Sequence, residues 1–199
     1  MTKKILLALM ISLSITLVWV IGFWQPNADL SRTATPISTA PTGGDFTLQS
    51  ANGPVSLHDF RGKVVLVYFG YTFCPDICPT SLAFASQALG LLDKNELDRT
   101  RLLFISVDPE RDTLEKLKDY GAFFHPSILG LTGSPDVIAA TTKQYGASYR
   151  KQDTGSAGGY VVDHSSSTYV VNPEGKLVAT LPHGTLPAEM AKAIRAAMK

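Results

Sequence analysis

The hydrophobic positions divide the chain into an apolar N-terminal run, a polar stretch and a long segment with alternating strand and helix patterns. From Ile5 to Trp24 no residue is charged, and these 20 residues would reach roughly 30 Å as a helix, enough to cross a bilayer. Lys3 and Lys4 precede the run, so the positive-inside rule predicts a cytoplasmic stub and an exported remainder. We predict one N-terminal transmembrane anchor within residues 1–24, with a cleaved signal peptide as the alternative.

Two further segments follow the apolar run. Residues 25–44 are rich in Pro, Ser, Thr and Gly and show no periodicity, which predicts a flexible linker. Residues 45–199 then form a segment of 155 residues, the size of one ordinary domain with its own core.

The strand signals of this domain fall into two classes. Continuous apolar runs at residues 63–69 and 102–107 indicate strands that are buried on both faces. Shorter runs at 46–49 and 55–57 surround Asn52-Gly53 and predict a hairpin. A second antiparallel pair, 169–171 and 177–180, flanks a turn at residues 172–175.

Helices are predicted between and after these strands. The first spans about residues 79–92, and the second follows Asp112, which forms a capping box with Glu115. Ser134-Pro135 begins a third helix, and residues 187–198 form the last. This alternation of buried strands and helices predicts an α/β three-layer sandwich of thioredoxin-like architecture.

Charge excludes one class of partner. The chain has 18 basic and 17 acidic residues and no long run of one sign, so electrostatic binding to nucleic acid is not expected. Export would place the domain in an oxidising compartment, where disulfides are accessible.

Cys74 and Cys78 are the two cysteines of the chain, and they follow the first buried strand at the predicted start of a helix. Helical positions four apart have Cβ atoms about 5–6 Å apart, whereas a disulfide needs about 3.5–4.5 Å. The spacing therefore suits one shared metal ion better than a relaxed disulfide, although metal binding, disulfide exchange and a structural staple all stay open. Soft sulfur ligands select Cu(I), with zinc as the competitor, and a helix N-terminus favours the thiolate.

Four histidines are candidates for a third ligand: His58, His125, His164 and His183. His164 is preferred because the segment that precedes the late strand of a thioredoxin-like fold packs against the start of the active-site helix. The other three lie in turn-like surroundings and are interpreted as surface groups. Two interpretations of Asp76 and Asp163 stay open: tuning of Cu(II) affinity, or, as the favoured interpretation, a helix cap at Asp76 and a hydrogen-bond partner at Asp163 that orients His164.

Three segments, residues 62–80, 104–113 and 162–165, resemble the Sco (SenC) family of membrane-anchored copper-binding proteins. The resemblance covers residues 46–199 and implies that Cys74, Cys78 and His164 bind copper as Cu(I) and also as Cu(II). It further implies assistance in assembling the copper centre of cytochrome c oxidase. The expected partners are the copper-site subunit of the oxidase and other copper chaperones. The expected location is the bacterial inner membrane, single-pass, with the soluble domain in the periplasm.

Two enzymatic alternatives remain. A thiol-disulfide reductase would use Cys74 and Cys78 as a redox disulfide to keep the cysteines of a copper-site partner reduced. Against a general oxidoreductase, the motif is Cys-x3-Cys rather than Cys-x2-Cys, and residues 163–168 contain no proline. A peroxidase is disfavoured because the Pro-x3-Thr-x2-Cys motif of peroxiredoxins is missing. Finally, the glycines within residues 152–162 predict a loop that becomes ordered when metal binds.

Overall fold

The structure, a computed structural model, describes residues 2–23, 41–156 and 159–199. Of the predicted linker, residues 25–40 lie outside the described residues. The first compact unit contains helix α1 (Thr2–Phe23), which coincides with the predicted anchor. Among the described residues, no helix reaches the length and apolarity needed to cross a membrane. The transmembrane part of the prediction is therefore not confirmed.

The second compact unit, Thr39–Lys199, contains all the other elements. In chain order they are β1 (Thr47–Ser50), β2 (Gly53–Ser56), a 3₁₀ helix (Leu57–Phe60), β3 (Val64–Gly70), α2 (Ile77–Gly90), α3 (Lys94–Asp98), β4 (Thr100–Ser106), α4 (Leu114–Phe124), β5 (Ile128–Leu131), α5 (Pro135–Gln144), β6 (Tyr149–Ser156), β7 (Gly159–His164), β8 (Thr168–Val171), β9 (Leu177–Leu181) and α6 (Pro187–Ala197).

A five-stranded sheet with the order β5-β4-β3-β8-β9 forms the centre of this unit. Strands β3, β4 and β5 are parallel, whereas β8 and β9 are antiparallel to their neighbours. Every residue of β3 is buried. Because successive side chains of a strand point to opposite faces, both faces of the sheet must be covered. This confirms the predicted α/β sandwich and the buried character of its central strands.

The pairing of β3 with β8 brings distant parts of the chain together. Tyr68 near the end of β3 lies opposite Thr168, the first residue of β8, because the two strands are antiparallel. The segment before Thr168 therefore lies at the same edge of the sheet as the loop that leaves Gly70. This edge carries the candidate site.

The sequence analysis did not predict the 3₁₀ helix, α3, β5 or the antiparallel hairpin formed by β6 and β7. The hairpin occupies the segment predicted to be a glycine-rich loop. Asp112 was predicted to cap α4, but the cap is Thr113, whose side chain accepts a hydrogen bond from the Lys116 amide. The Ser134 cap of α5 and the β1–β2 hairpin are as predicted.

Candidate metal centre

Both cysteines lie where β3 gives way to α2. Cys74 is in the connecting loop, and its amide donates to the Tyr71 carbonyl oxygen at 3.3 Å, which closes a turn. Cys78 is the second residue of α2 and is followed by Pro79. Proline is tolerated there because the first amides of a helix have no intrahelical acceptor. Asp76 precedes the helix but makes no side-chain capping bond, so its predicted capping role is wrong.

Gly70 makes room for the Cys78 sulfur. A Cβ atom at this position would lie 2.6 Å from Cys78 Sγ and 2.9 Å from Cε2 of Phe104. Both distances are shorter than ordinary van der Waals contacts. Glycine at the end of β3 therefore leaves the space that Cys78 Sγ occupies next to the strand backbone.

His164, the last residue of β7, completes the cluster. Its Nε2 lies 3.3 Å from Cys78 Sγ, although the two residues are 86 positions apart. The ligand atoms of Cys74, Cys78 and His164 all lie within 4.8 Å of one another. Strand pairing thus brings together the three residues that the sequence analysis selected.

The imidazole is held in one orientation. His164 Nδ1 lies 3.0 Å from the Ser165 carbonyl oxygen. A carbonyl only accepts, so Nδ1 donates to it, and the other ring nitrogen, Nε2, faces the sulfurs. The edges of Tyr68 and Tyr71 pack against the ring, with centroids 6.4 and 5.7 Å away. This orientation leaves Nε2 as the ring nitrogen that would bind a metal.

The two thiols differ in acidity. The hydrogen bond from the Cys78 thiol, followed by one involving His164, lowers the pKa of Cys74 to about 3 despite partial burial. The same hydrogen bond to Cys74, together with complete burial, raises the pKa of Cys78 above its ordinary value. The pair therefore holds one proton near neutral pH, on Cys78. The environment thus favours the thiolate at Cys74 and disfavours it at Cys78.

The remaining histidines lie outside this cluster. His58 and His183 are exposed, as predicted, whereas His125 is half-buried and accepts a hydrogen bond from the Ser127 amide. Within the described part of the chain, Cys74, Cys78 and His164 are the one group of three or more His, Cys, Asp or Glu residues that could hold a metal. Asp163 is exposed and accepts from Gln152. The Ser165 carbonyl, rather than Asp163, therefore orients His164.

The donor set restricts the chemistry. Two sulfurs and one imidazole nitrogen are soft to intermediate donors, which suit copper or zinc better than hard cations such as Mg²⁺ or Ca²⁺. The two cysteines are not joined in a disulfide in this structure. The same pair is thus available for binding an ion or for oxidation to a disulfide.

Sequence reasoning missed the residues that hold the cysteine loop in place. Asp112 is buried and accepts from the Thr72 amide at 2.9 Å, from the Thr72 hydroxyl at 2.5 Å and from the Ser106 hydroxyl at 2.6 Å. Asp108 is also buried and forms an ion pair with Arg111. The signal in the sequence is the cluster of charged residues at 108–112, directly after a buried strand, where turn and capping roles are the ordinary interpretation.

A protein-family model described as SCO1/SenC matches residues 34–199. The SCO2-like protein RC0895 of Rickettsia conorii is 39% identical over 155 residues, which cover 77% of this chain and 75% of that protein. The chain aligns with 50% and 52% of the length of the mitochondrial SCO2 proteins of Bos taurus and Saccharomyces cerevisiae, about half of each.

Solved structures show the same fold. The structure of Bradyrhizobium japonicum ScoI with copper bound has a TM-score of 0.70 and 36% identity, and the match covers 78% of this chain and 98% of that one. BsSco, described as a member of the Sco family of cytochrome c oxidase assembly proteins and as having a disulfide switch, matches with a TM-score of 0.62 and 26% identity. That match covers 79% of this chain and 94% of the other.

Proposed function

The chain belongs to the SCO1/SenC family, and on that premise we propose that it is a copper-binding protein that assists assembly of the copper centre of cytochrome c oxidase. The observation that carries the proposal is the convergence of Cys74 Sγ, Cys78 Sγ and His164 Nε2 within 4.8 Å. The copper-bound structure of a relative at 36% identity supports it. Copper is here the cargo of the protein, held for transfer.

The donor set favours Cu(I) among the copper oxidation states. Thiolates are soft ligands, and two of them with one imidazole suit Cu(I). Ligand binding requires both cysteines as thiolates, so loading releases the proton held by Cys78. Cu(II) binding by the same three residues is part of the proposal.

The exposure of the ligands indicates how cargo would leave. Cys78 is fully buried, whereas Cys74 is 8% exposed and His164 is half-buried. A partner would therefore reach the ion from the side of Cys74 and His164, with Cys78 as the innermost ligand. The proposed partners are the copper-site subunit of the oxidase and other copper chaperones.

A thiol-disulfide reductase is the second candidate, favoured by the low pKa of Cys74. The Cys74 thiolate would attack a disulfide of the partner and form a mixed disulfide with release of one partner thiolate. Cys78, after losing its proton, would then attack Cys74, form the Cys74–Cys78 disulfide and release the second thiolate. Two electrons pass from this dithiol to the partner, which ends with two reduced cysteines.

The experiment that tests the copper site is an anaerobic Cu(I) titration of the full reduced chain against a chelator of known affinity. Cys74→Ala, Cys78→Ala and His164→Ala are measured beside His58→Ala, a control at an exposed histidine outside the cluster. We expect one-to-one binding that the first three substitutions weaken and the control preserves. An unchanged Cu(I) affinity in His164→Ala would contradict the assigned ligand set and would favour the thiol-disulfide reductase instead.

Anchoring and location rest on the sequence. The uncharged run from Ile5 to Trp24, preceded by two lysines, supports a proposal of a single-pass inner-membrane anchor in residues 1–24, a linker in 25–44 and a periplasmic domain in 45–199. Carbonate extraction of membranes tests the anchor, and protease treatment of spheroplasts tests the side. Release of the full chain by carbonate would contradict the anchor.

A further inference from the structure

The hairpin that carries His164 is attached to the body of the domain along one face of β7. Along this strand Tyr160, Val162 and His164 are the more buried residues, and Val161 and Asp163 are exposed. Side chains alternate along a strand, so the first three point toward the body. The position of His164 therefore depends on what Tyr160 and Val162 contact.

Arg111 binds the Tyr160 end of this face. Its Nε donates to the fully buried Asp108 carboxylate at 2.5 Å, and its Nη1 donates to the Tyr160 carbonyl oxygen at 2.8 Å. The guanidinium also lies 3.7 Å from the centroid of the Tyr160 ring, a cation–π contact. The Tyr160 hydroxyl donates to the same Asp108 at 2.6 Å. One arginine thus joins the hairpin to the loop after β4.

Tyr71 extends this attachment to the histidine. Its ring lies 5.5 Å from the Arg111 guanidinium and 5.7 Å from the His164 ring. Its hydroxyl accepts a hydrogen bond from the Val162 amide at 3.2 Å. The two ends of the face are therefore linked through Tyr71, which packs between Arg111 and His164.

We propose that Arg111 is a positioning residue for His164, which it holds over the two cysteines by fastening β7 at Tyr160 and by packing against Tyr71. This inference rests on the proposed copper site and adds to it a residue that touches neither the ion nor its ligands. Arginine suits the role because its planar guanidinium stacks on a ring while donating in two directions, which a lysine ammonium does not reproduce.

The test compares Arg111→Lys with Arg150→Lys. Arg111→Lys keeps a cation beside the buried Asp108, so the fold should persist. Arg150 is an exposed arginine on the same hairpin and serves as the matched control. Tyr160→Leu is the second variant, since it removes the stacked ring and leaves the Asp108–Arg111 pair intact.

The first readout uses the protein without copper. The Val162 amide donates to the Tyr71 hydroxyl on the body of the domain, so its hydrogen exchange reports attachment of the hairpin. We expect Arg111→Lys and Tyr160→Leu to lower the protection of this amide by about tenfold and Arg150→Lys to leave it unchanged. Equal protection in all three variants and the wild type would overturn the proposal.

The second readout is Cu(I) affinity in a double-mutant cycle. We expect Arg111→Lys to weaken binding by about tenfold, as for other residues that orient a metal ligand, and to have no further effect once His164 is alanine. An equal loss in the His164→Ala background would show that Arg111 acts on the cysteines or the whole fold, and would overturn the proposal. Absence of copper binding by the wild type would instead refute the proposed function, while the exchange measurement would still decide the role of Arg111.

Discussion

Gly70→Ala is the substitution by which the structure predicts the sharpest effect on the cysteine pair. The added Cβ would lie 2.6 Å from Cys78 Sγ, 2.9 Å from Phe104 Cε2 and 3.1 Å from Tyr68 Cε1. Since non-bonded atoms prefer about 3.5–4.0 Å, the sulfur must move by about 1 Å. The two aromatic atoms belong to fully buried side chains and have little room to withdraw.

Two magnitudes follow from this displacement. Overpacking a filled core costs about 1–3 kcal/mol, so the free energy of unfolding should fall by that amount in urea denaturation. Metal sites tolerate ligand displacements of about 0.2 Å, so a shift of about 1 Å in one sulfur should weaken Cu(I) binding by at least about tenfold.

The matched control is Gly90→Ala, on the helix α2 that carries Cys78. A Cβ at Gly90 meets no atom within 4 Å, and alanine is the better helix former, so stability should stay equal or rise by about 0.5–1 kcal/mol. Chelator competition then compares the copper affinities of both variants with that of the wild type. A Gly70→Ala protein with wild-type stability and affinity would refute the reasoning, because the sulfur would not be packed against β3 as described.

Three further predictions concern the surroundings of the site. The Cys78 thiol keeps Cys74 ionised down to about pH 3, so the rate of iodoacetamide labelling at Cys74 should be constant from about pH 5 to 7. In Cys78→Ala this rate should become strongly pH-dependent. A tenfold rise in the rate per pH unit in the wild type would contradict the low pKa of Cys74. Asp112→Asn should lower the free energy of unfolding in urea by about 3 kcal/mol, because three donors face this buried carboxylate. Asp119→Asn, at an exposed position, is the control. Equal stability of the two variants would count against the hydrogen bonds assigned to Asp112. Tyr71→Phe should lower the free energy of unfolding by about 1–3 kcal/mol, because the buried Val162 amide loses its acceptor. Unchanged stability together with unchanged hydrogen exchange at that amide would exclude this hydrogen bond.

Local sequence patterns were enough to predict the elements that carry the cysteines. The apolar run of β3 is long and uninterrupted because both faces are buried, and such a pattern is readable without a partner. The two prolines around Cys78 and the cap at Ser134 act over a few residues, so their helices were predicted within two residues or so of the observed bounds. The choice of Cys74 and Cys78 as the chemical centre followed from residue type and spacing.

Local patterns did not predict the elements that are short or polar. Strand β5 has four residues and includes Gly130, too few to show a period between two helices. The β6–β7 hairpin has one exposed face and contains glycines, so its composition is that of a loop. It is a pair of strands because each supplies hydrogen-bond partners to the other and because Tyr160 and Val162 find contacts on the body.

Long-range pairing decided the rest of the site. His164 reaches Cys78 across 86 residues because β8 lies antiparallel to β3, and strand order is not encoded in local periodicity. Asp112 has the spacing of a helix cap, yet donors from Thr72 and Ser106 converge on it in the fold and Thr113 caps the helix instead. Capping is a contact between neighbours in sequence, whereas burial of a carboxylate among three donors exists only after the chain has folded.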